Sequence, residues 1–382
     1  MPFKILSVYL LALILFGQKA VSNSTNKTRI AIIYPQNPKV KDFTGNSAVC
    51  FTEKALEYFR AKGLPLTWTF QDNMRSVSKT FAIANDLKRE KWDIIIGGSR
   101  SEEAIVTGNA LKGSKSIYIA PTASNPEVTK NKPNAFSLAY NDSYQAKVIA
   151  DFTLNKMNEG PSPKRKILIP VNLSRPYSVF LTKEITRLLL KKNPQIAIET
   201  VSFIEGNLPI QNLRNKINET KSDTLILTTL PPVNINIYNE IKNHNRNYLV
   251  VGSDVTGGRK YFLDAIAPES NRIQYFYTSI ASSKNIAPSK ISKLYNSIKA
   301  TGCKDYSEKP FTKVAFETIY NVLDTLEKSG GNFEYGSFIK NFYARKLLFL
   351  GGETKFDPHR FASRQINLLQ IKNGESINVL TK

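Results

Sequence analysis

Residues 92–129 read WDIIIGGSRSEEAIVTGNALKGSKSIYIAPTASNPEVT. Two short apolar runs, 94–96 and 117–120, each end in a small polar loop that opens a helix, the pattern of parallel strands in βαβ units. The first loop carries Ser99, Arg100, Ser101 and Glu102, and the second carries Thr122, Ala123, Ser124, Asn125, Pro126 and Glu127. Each holds an S-x-x-E spacing, Ser99 to Glu102 and Ser124 to Glu127, which predicts a capping box at the helix start. In an open α/β sheet ligands bind beyond the carboxyl ends of the strands, where helix N-termini offer unpaired N–H groups and a positive dipole end. Hydroxyls beside two such termini predict an anion site the size of a carboxylate.

The same grammar runs outward in both directions. Upstream, a strand at 29–34, a helix at 47–61, a strand at 64–70 after Lys62-Gly63 and a helix at 77–88 lead into the strand beginning at Asp93. Such alternation predicts a parallel sheet with helices on both faces. Downstream, helices at 144–157, 179–191, 210–219 and 235–243 alternate with strands at 166–171, 196–203, 224–229 and 248–251. Helices at 288–299 and 311–328 follow, and two runs at 366–372 and 376–380 flank Asn373-Gly374, a hairpin signal. At 382 residues the chain exceeds the usual range of one core, so two domains are expected.

The order IIIGGSRS at 94–101, YIAPTASNPEVT at 118–129 and AFSLAYNDSYQAKVIADF at 135–152 resembles the periplasmic solute-binding proteins of the Leu/Ile/Val-binding type. The resemblance covers nearly all of the chain after its N-terminus. It implies the type I periplasmic binding fold, an α/β architecture of two doubly wound parallel-sheet lobes joined by a three-segment hinge. Lobe 1 would comprise 28–140 and 276–349, and lobe 2 would comprise 141–275 and 350–382, with crossings near 135–140, 274–279 and Gly351. A hinge of short segments suits bending closure of two lobes on a ligand.

The resemblance also implies site residues. Ser99, Arg100, Ser101, Thr122, Ala123 and Ser124 fall on the two loops that would contact a ligand carboxylate, through hydroxyls and the surrounding amides. The same serines and threonines would also serve as ordinary helix caps. Asp254, in VGSDVTGG, stands where the family places an acid that holds an ammonium; alternatively it caps the next helix. Tyr177, in SRPYSVF, matches an aromatic that covers the ligand, with a half-buried tyrosine beside a helix start as the plainer reading. Two features depart from the pattern. Pro38, with Lys39 and Lys41 beside it, replaces an aromatic, and the loop Thr228-Thr229-Leu230-Pro231-Pro232-Val233, expected to face the cleft, has no aromatic. Arg100 at the mouth would favour a more acidic ligand, unless it points into solvent.

The first 22 residues predict a secretory signal: Lys4, an apolar run at 5–16, and Ala20 and Ser22 in an A-x-S cleavage pattern, with cleavage after Ser22 or, failing that, Ala20. No cysteine follows the apolar run, so a lipid anchor is not expected. Cys50 and Cys303, the only cysteines, have no metal-ligand spacing; in an oxidising compartment they are either joined in a disulfide or two separate buried thiols. The formal charge is +22, or +20 without Lys4 and Lys19. The basic residues are dispersed and lack nucleic-acid motifs, so a solvated basic surface is expected rather than nucleic-acid binding.

Nothing reads as catalysis. His244 and His359 lie in polar surroundings with no triad or metal spacing, and Gly97-Gly98 lacks the third glycine of a dinucleotide fingerprint. The expected protein is a monomeric periplasmic substrate-binding protein without cofactor. It would bind an amino acid or related small carboxylate and deliver it to an ABC permease in the inner membrane. The competing reading is an envelope sensor or scaffold with the same fold, docking a protein or acidic polymer through its basic surface.

Overall fold

The computed structural model describes residues 27–37, 44–159, 166–204, 210–256, 260–266, 272–280, 288–303, 310–372 and 374–382. The expected signal segment and Pro38, Lys39 and Lys41 lie outside them. The first lobe is built from β1 (Thr28–Ile33), α1 (Thr44–Ala61), β2 (Leu66–Gln71), α2 (Val77–Arg89), β3 (Ile94–Gly97), α3 (Ser101–Leu111), β4 (Ile117–Ala120), a 3-10 turn (Pro126–Val128) and β5 (Ala135–Ser137). Its sheet has the order β2-β1-β3-β4-β5, parallel throughout. Successive strand residues point to opposite faces. Ile30, Ile32, Ile94 and Ile96 therefore enter one core, and Ala31, Ile33 and Ile95 enter another on the far side. Burial on both faces explains the unbroken apolar runs in the sequence.

The second lobe follows with α4 (Asp142–Met157), β6 (Lys166–Asn172), α5 (Pro176–Lys192), β7 (Ala197–Phe203), α6 (Ile210–Thr220), β8 (Thr224–Leu227), α7 (Pro231–Ile241), β9 (Tyr248–Gly252), α8 (Lys260–Ile266) and β10 (Ile273–Ile280). The chain then supplies α9 (Lys290–Ala300), α10 (Pro310–Lys328) and α11 (Tyr335–Ala344) to the first lobe, where Ile291, Tyr295, Phe316 and Phe338 join the core around Ile30. A small hairpin, β11 (Leu347–Phe349) with β12 (Gly352–Thr354), precedes β13 (Ile366–Lys372) and β14 (Glu375–Thr381). The second sheet has the order β14-β13-β10-β9-β8-β6-β7. The expected C-terminal hairpin forms its antiparallel edge.

The crossings fall later in the chain than expected at two places. Residues 274–279 lie within β10, which pairs with β9 on one side and β13 on the other, so the chain leaves the second sheet after Ile280. Tyr275, Phe276 and Tyr277 are all buried, and such a run is held in the sheet by both of its faces. Gly351 lies in the turn between β11 and β12, still on the first lobe; Phe361 bridges Ser137, and the chain returns to the second sheet only at Ile366. Cys50 on α1 and Cys303 after α9 are joined in a disulfide, with their Cα atoms 5.8 Å apart.

Candidate ligand site between the lobes

Both loops of the opening stretch end strands of the first sheet and face the second lobe. At Gly98 the backbone takes φ +80°, and a Cβ there would lie 2.8 Å from Ala104 and 2.6 Å from the Tyr118 hydroxyl, so only glycine fits this turn. The turn starts α3 at Ser101, with Arg100 as N-cap and no side-chain cap. The expected Ser99–Glu102 box is thereby corrected: Glu103, the third helical residue, reaches back instead, and its Oε2 accepts the Ser99 N–H at 3.2 Å and the Ser99 hydroxyl at 3.0 Å. Burial pushes the Glu103 carboxyl above its ordinary range, with Ser99 and Arg100 pulling the other way.

The second box is corrected too. Pro126 occupies the first position of the 3-10 turn, which makes Asn125 the cap; its Oδ1 accepts the Glu127 N–H at 2.9 Å. The two loops are tied together by the Thr122 hydroxyl, which donates to the Ser99 carbonyl at 3.1 Å, while the Ser137 hydroxyl holds the Ala123 carbonyl at 2.7 Å. Ser99 and Thr122 thus commit their hydroxyl protons inside the protein. Donors left for an anion are the buried Ser101 and the first amides of α3, which have no acceptor within the helix. Ser124 lies at the start of α4, its carbonyl accepting the Asp142 N–H at 2.9 Å.

A cluster of opposite character lies against this one. Asp142, first residue of α4, is fully buried, and neither of its carboxylate oxygens has a hydrogen-bond partner among the described residues. Burial, and then the charge of Asp254, hold its carboxyl well above the usual range, with the Ser124 side chain acting in the other direction. From the second lobe, the Tyr177 hydroxyl donates to Asp254 Oδ1 at 2.5 Å and sits 3.1 Å from Gln145 Oε1. Gln145 Nε2 in turn donates to Thr278 at 2.8 Å and to the Tyr140 hydroxyl at 3.1 Å. Burial first, then Asp254 and Asp142, raise the Tyr177 hydroxyl far above its ordinary value, so it remains a donor. Tyr177 and Asp254, predicted separately, are therefore one unit.

Cations enter the site already partnered. Arg100 Nη1 lies 3.9 Å from Glu102 Oε1, and the same carboxylate oxygen pairs with Arg175, the N-cap residue of α5. Asn125 Nδ2 donates to the Pro176 carbonyl at 3.1 Å, a second tie between the lobes. In the Thr228 loop, expected to face the cleft, Thr228 bonds Ser178 and Thr182 at 2.9 and 3.0 Å, and Thr229 bonds Asn234, so both hydroxyls are engaged within the second lobe. His244 is 2.6 Å from the Tyr248 hydroxyl, a packing role away from the site. Among the described residues no group of three His, Cys, Asp or Glu side chains could hold a metal, and no helix is long and apolar enough to cross a membrane.

Sequence reasoning missed Asp142, Gln145, Glu102 as an ion-pair partner, and Arg175. Asp142 and Gln145 stand in the segment YNDSYQ, at a spacing of three that puts both on one side of the first helical turn, which was the available signal. Arg175 carried none, since its partner is 73 positions away.

A family model described as periplasmic binding protein matches residues 27–376. A comparison with curated protein sequences gives no match. Among solved structures, the leucine-binding protein LivK of Thermotoga maritima superposes with a TM-score of 0.77 at 15% identity, covering 93% of this chain and 98% of that one. A solute-binding protein of an ABC transporter from R. palustris, in complex with 4-hydroxybenzoate, gives 0.76 at 14% identity, with 94% and 97% covered. LivJ of Streptococcus pneumoniae, a branched-chain amino acid transporter substrate-binding protein in complex with isoleucine, gives 0.72 at 17% identity, with 92% and 100% covered.

Proposed function

This chain belongs to the periplasmic binding protein family, and from that premise we propose that it captures an amino acid between its lobes as the substrate-binding component of an ABC transporter. The observation that carries the reading is the pairing of opposite clusters. A helix start with Ser101 offers donors to a carboxylate, and Asp142 with Asp254 offers acceptors to an ammonium. A zwitterion satisfies both at once. The ammonium would give Asp142 the partners it lacks, which matters because an unpaired buried polar group is costly. Glu102 pairs with both Arg100 and Arg175 and offsets one of their two charges, which weakens the ground for preferring a dicarboxylate. Delivery to a permease, a periplasmic location and a monomeric state belong to the same reading. The solved structures with leucine-type and benzoate-type ligands support a small carboxylate in general.

The test is a thermal-shift screen of protein unfolded, stripped of carried-over ligand and refolded, against amino acids, benzoates and dicarboxylates. A ligand at a hundred times its Kd stabilises by about 2.7 kcal/mol, a rise of several degrees. An amino-acid hit that disappears in Asp142→Asn or Asp254→Asn establishes the reading. A benzoate hit indifferent to both variants replaces it with an aromatic acid, and a folded sample silent to the whole panel sinks it in favour of a docking protein.

A further inference from the structure

Glu102 and Arg175 come from different lobes, one just inside the start of α3 and the other capping α5. Their side chains are only 13% and 9% exposed. The supports beneath them are rigid. The Arg175 N–H donates to the Asn172 carbonyl at 3.1 Å, its carbonyl accepts from Val179 at 3.1 Å, and Pro176 fixes the next residue. Glu102 sits between Ser101 and Glu103, the latter anchored to Ser99. With both backbones held by local bonds and the two residues on different lobes, parting of the lobes separates the pair. The Asn125–Pro176 bond lies one residue away and would be made in the same motion.

We propose that Glu102 and Arg175 form an interlobe latch that holds the cleft closed independently of what the pocket contains, so that it governs how fast a ligand leaves. This rests on reading the cleft as the ligand site. Arg100, 3.9 Å from the same Glu102 oxygen and on the same lobe, is the partner Glu102 keeps when the lobes part. Glu102 therefore exchanges a shared pair of cations for one cation on opening, and no buried carboxylate is left bare. Removing one member of a shielded pair strands the other, and in complexes such changes appear mainly in the dissociation rate.

The experiment uses small-angle X-ray scattering of the refolded, ligand-free protein, so it does not depend on knowing the ligand. Wild type is expected to scatter as the closed form, while Glu102→Gln and Arg175→Met give a larger radius of gyration and Arg175→Lys, which keeps the charge, stays near wild type. Glu102→Gln keeps size and shape, which guards against loss of folding as the cause. With a ligand in hand, Glu102→Gln is expected to release it on the order of tenfold faster. Identical ligand-free scattering of wild type and both neutral variants overturns the latch whatever the pocket binds; a screen without hits leaves the scattering result standing by itself.

Discussion

One carboxylate oxygen of Glu103 accepts both the backbone N–H and the hydroxyl of Ser99, at 3.2 and 3.0 Å. The first loop of the site is thus shaped by the residue that follows it in the helix. The carboxyl is buried and pushed toward its neutral form. Glu103→Gln, which keeps an accepting oxygen without a charge, is expected to hold stability near wild type. Glu103→Ala leaves two donors unpaired and is expected to cost about 1–3 kcal/mol, together with weaker ligand binding. Urea unfolding of the two variants checks this, and equal losses would contradict it.

Asp142 and Glu103 are each expected to contribute a loss of stability as pH rises above the acidic range. Asp142 and Glu103 both have folded values raised above the unfolded ones, which are about 4 for carboxylates. Between the unfolded and folded values the unfolded chain has released these protons and the native protein has kept them. The native state then binds more protons, and the stability falls with pH through that window. Asp142→Asn should flatten the profile and stabilise the ligand-free protein at neutral pH. Urea midpoints measured from pH 5 to 8 give the answer; an unchanged slope in the variant would refute the assignment.

The opposite sign applies to Asp324. Burial acts to raise its carboxyl, but hydrogen bonds from Arg345 and Lys328 prevail and lower it. Its contribution is present above the unfolded value and is lost as pH falls through the folded one. Asp324→Asn is expected to lower stability at neutral pH and to lessen the decline below about pH 4. Acid unfolding of wild type and variant followed side by side would show the difference.

Reducing the Cys50–Cys303 bond is expected to cost about 2–5 kcal/mol, because it releases a closed segment of 253 residues in the unfolded chain. The bond ties α1 to the segment after α9, both part of the first-lobe core. A Cys50→Ser/Cys303→Ser double variant should melt lower, yet bind ligand with nearly unchanged affinity, since neither residue is among those that build the proposed site. Calorimetry and titration of the same sample separate the two effects.

Arg364 is expected to be among the costliest single losses. It lies on the return crossing, pairs with buried Glu317 at 3.1 Å, stands 4.1 Å over the Phe349 ring and reaches the Leu138 carbonyl on the first crossing at 3.5 Å. Glu317 also accepts the Leu350 N–H at 2.9 Å. Arg364→Ala strands that carboxylate and should cost about 3–5 kcal/mol, whereas Arg364→Leu with Glu317→Leu should recover much of it. Denaturation midpoints of the three proteins decide it.

The chain's local chemistry determined the fold. Alternation of apolar runs with helical periods, Gly-rich turns at the strand ends and Asn373-Gly374 between two apolar segments specify βα units and a terminal hairpin, because each signal acts over only a few residues. The same stretch at 92–129 gave the two loops of the proposed site, while Tyr177 and Asp254, which the family resemblance singled out, are hydrogen-bonded to each other. Pairing across the fold was beyond its reach. That Ser99 gives its hydroxyl to Glu103 and not to a ligand depends on where α3 begins, which the close approach of Gly98 to Ala104 decides. That Asp142 is buried without a partner, that Glu102 meets Arg175 and that Cys50 meets Cys303 follow from packing two lobes and three late helices together. Burial and charge neutralisation are properties of the assembled surroundings, and residues 73 or 253 positions apart leave no local pattern from which to read them.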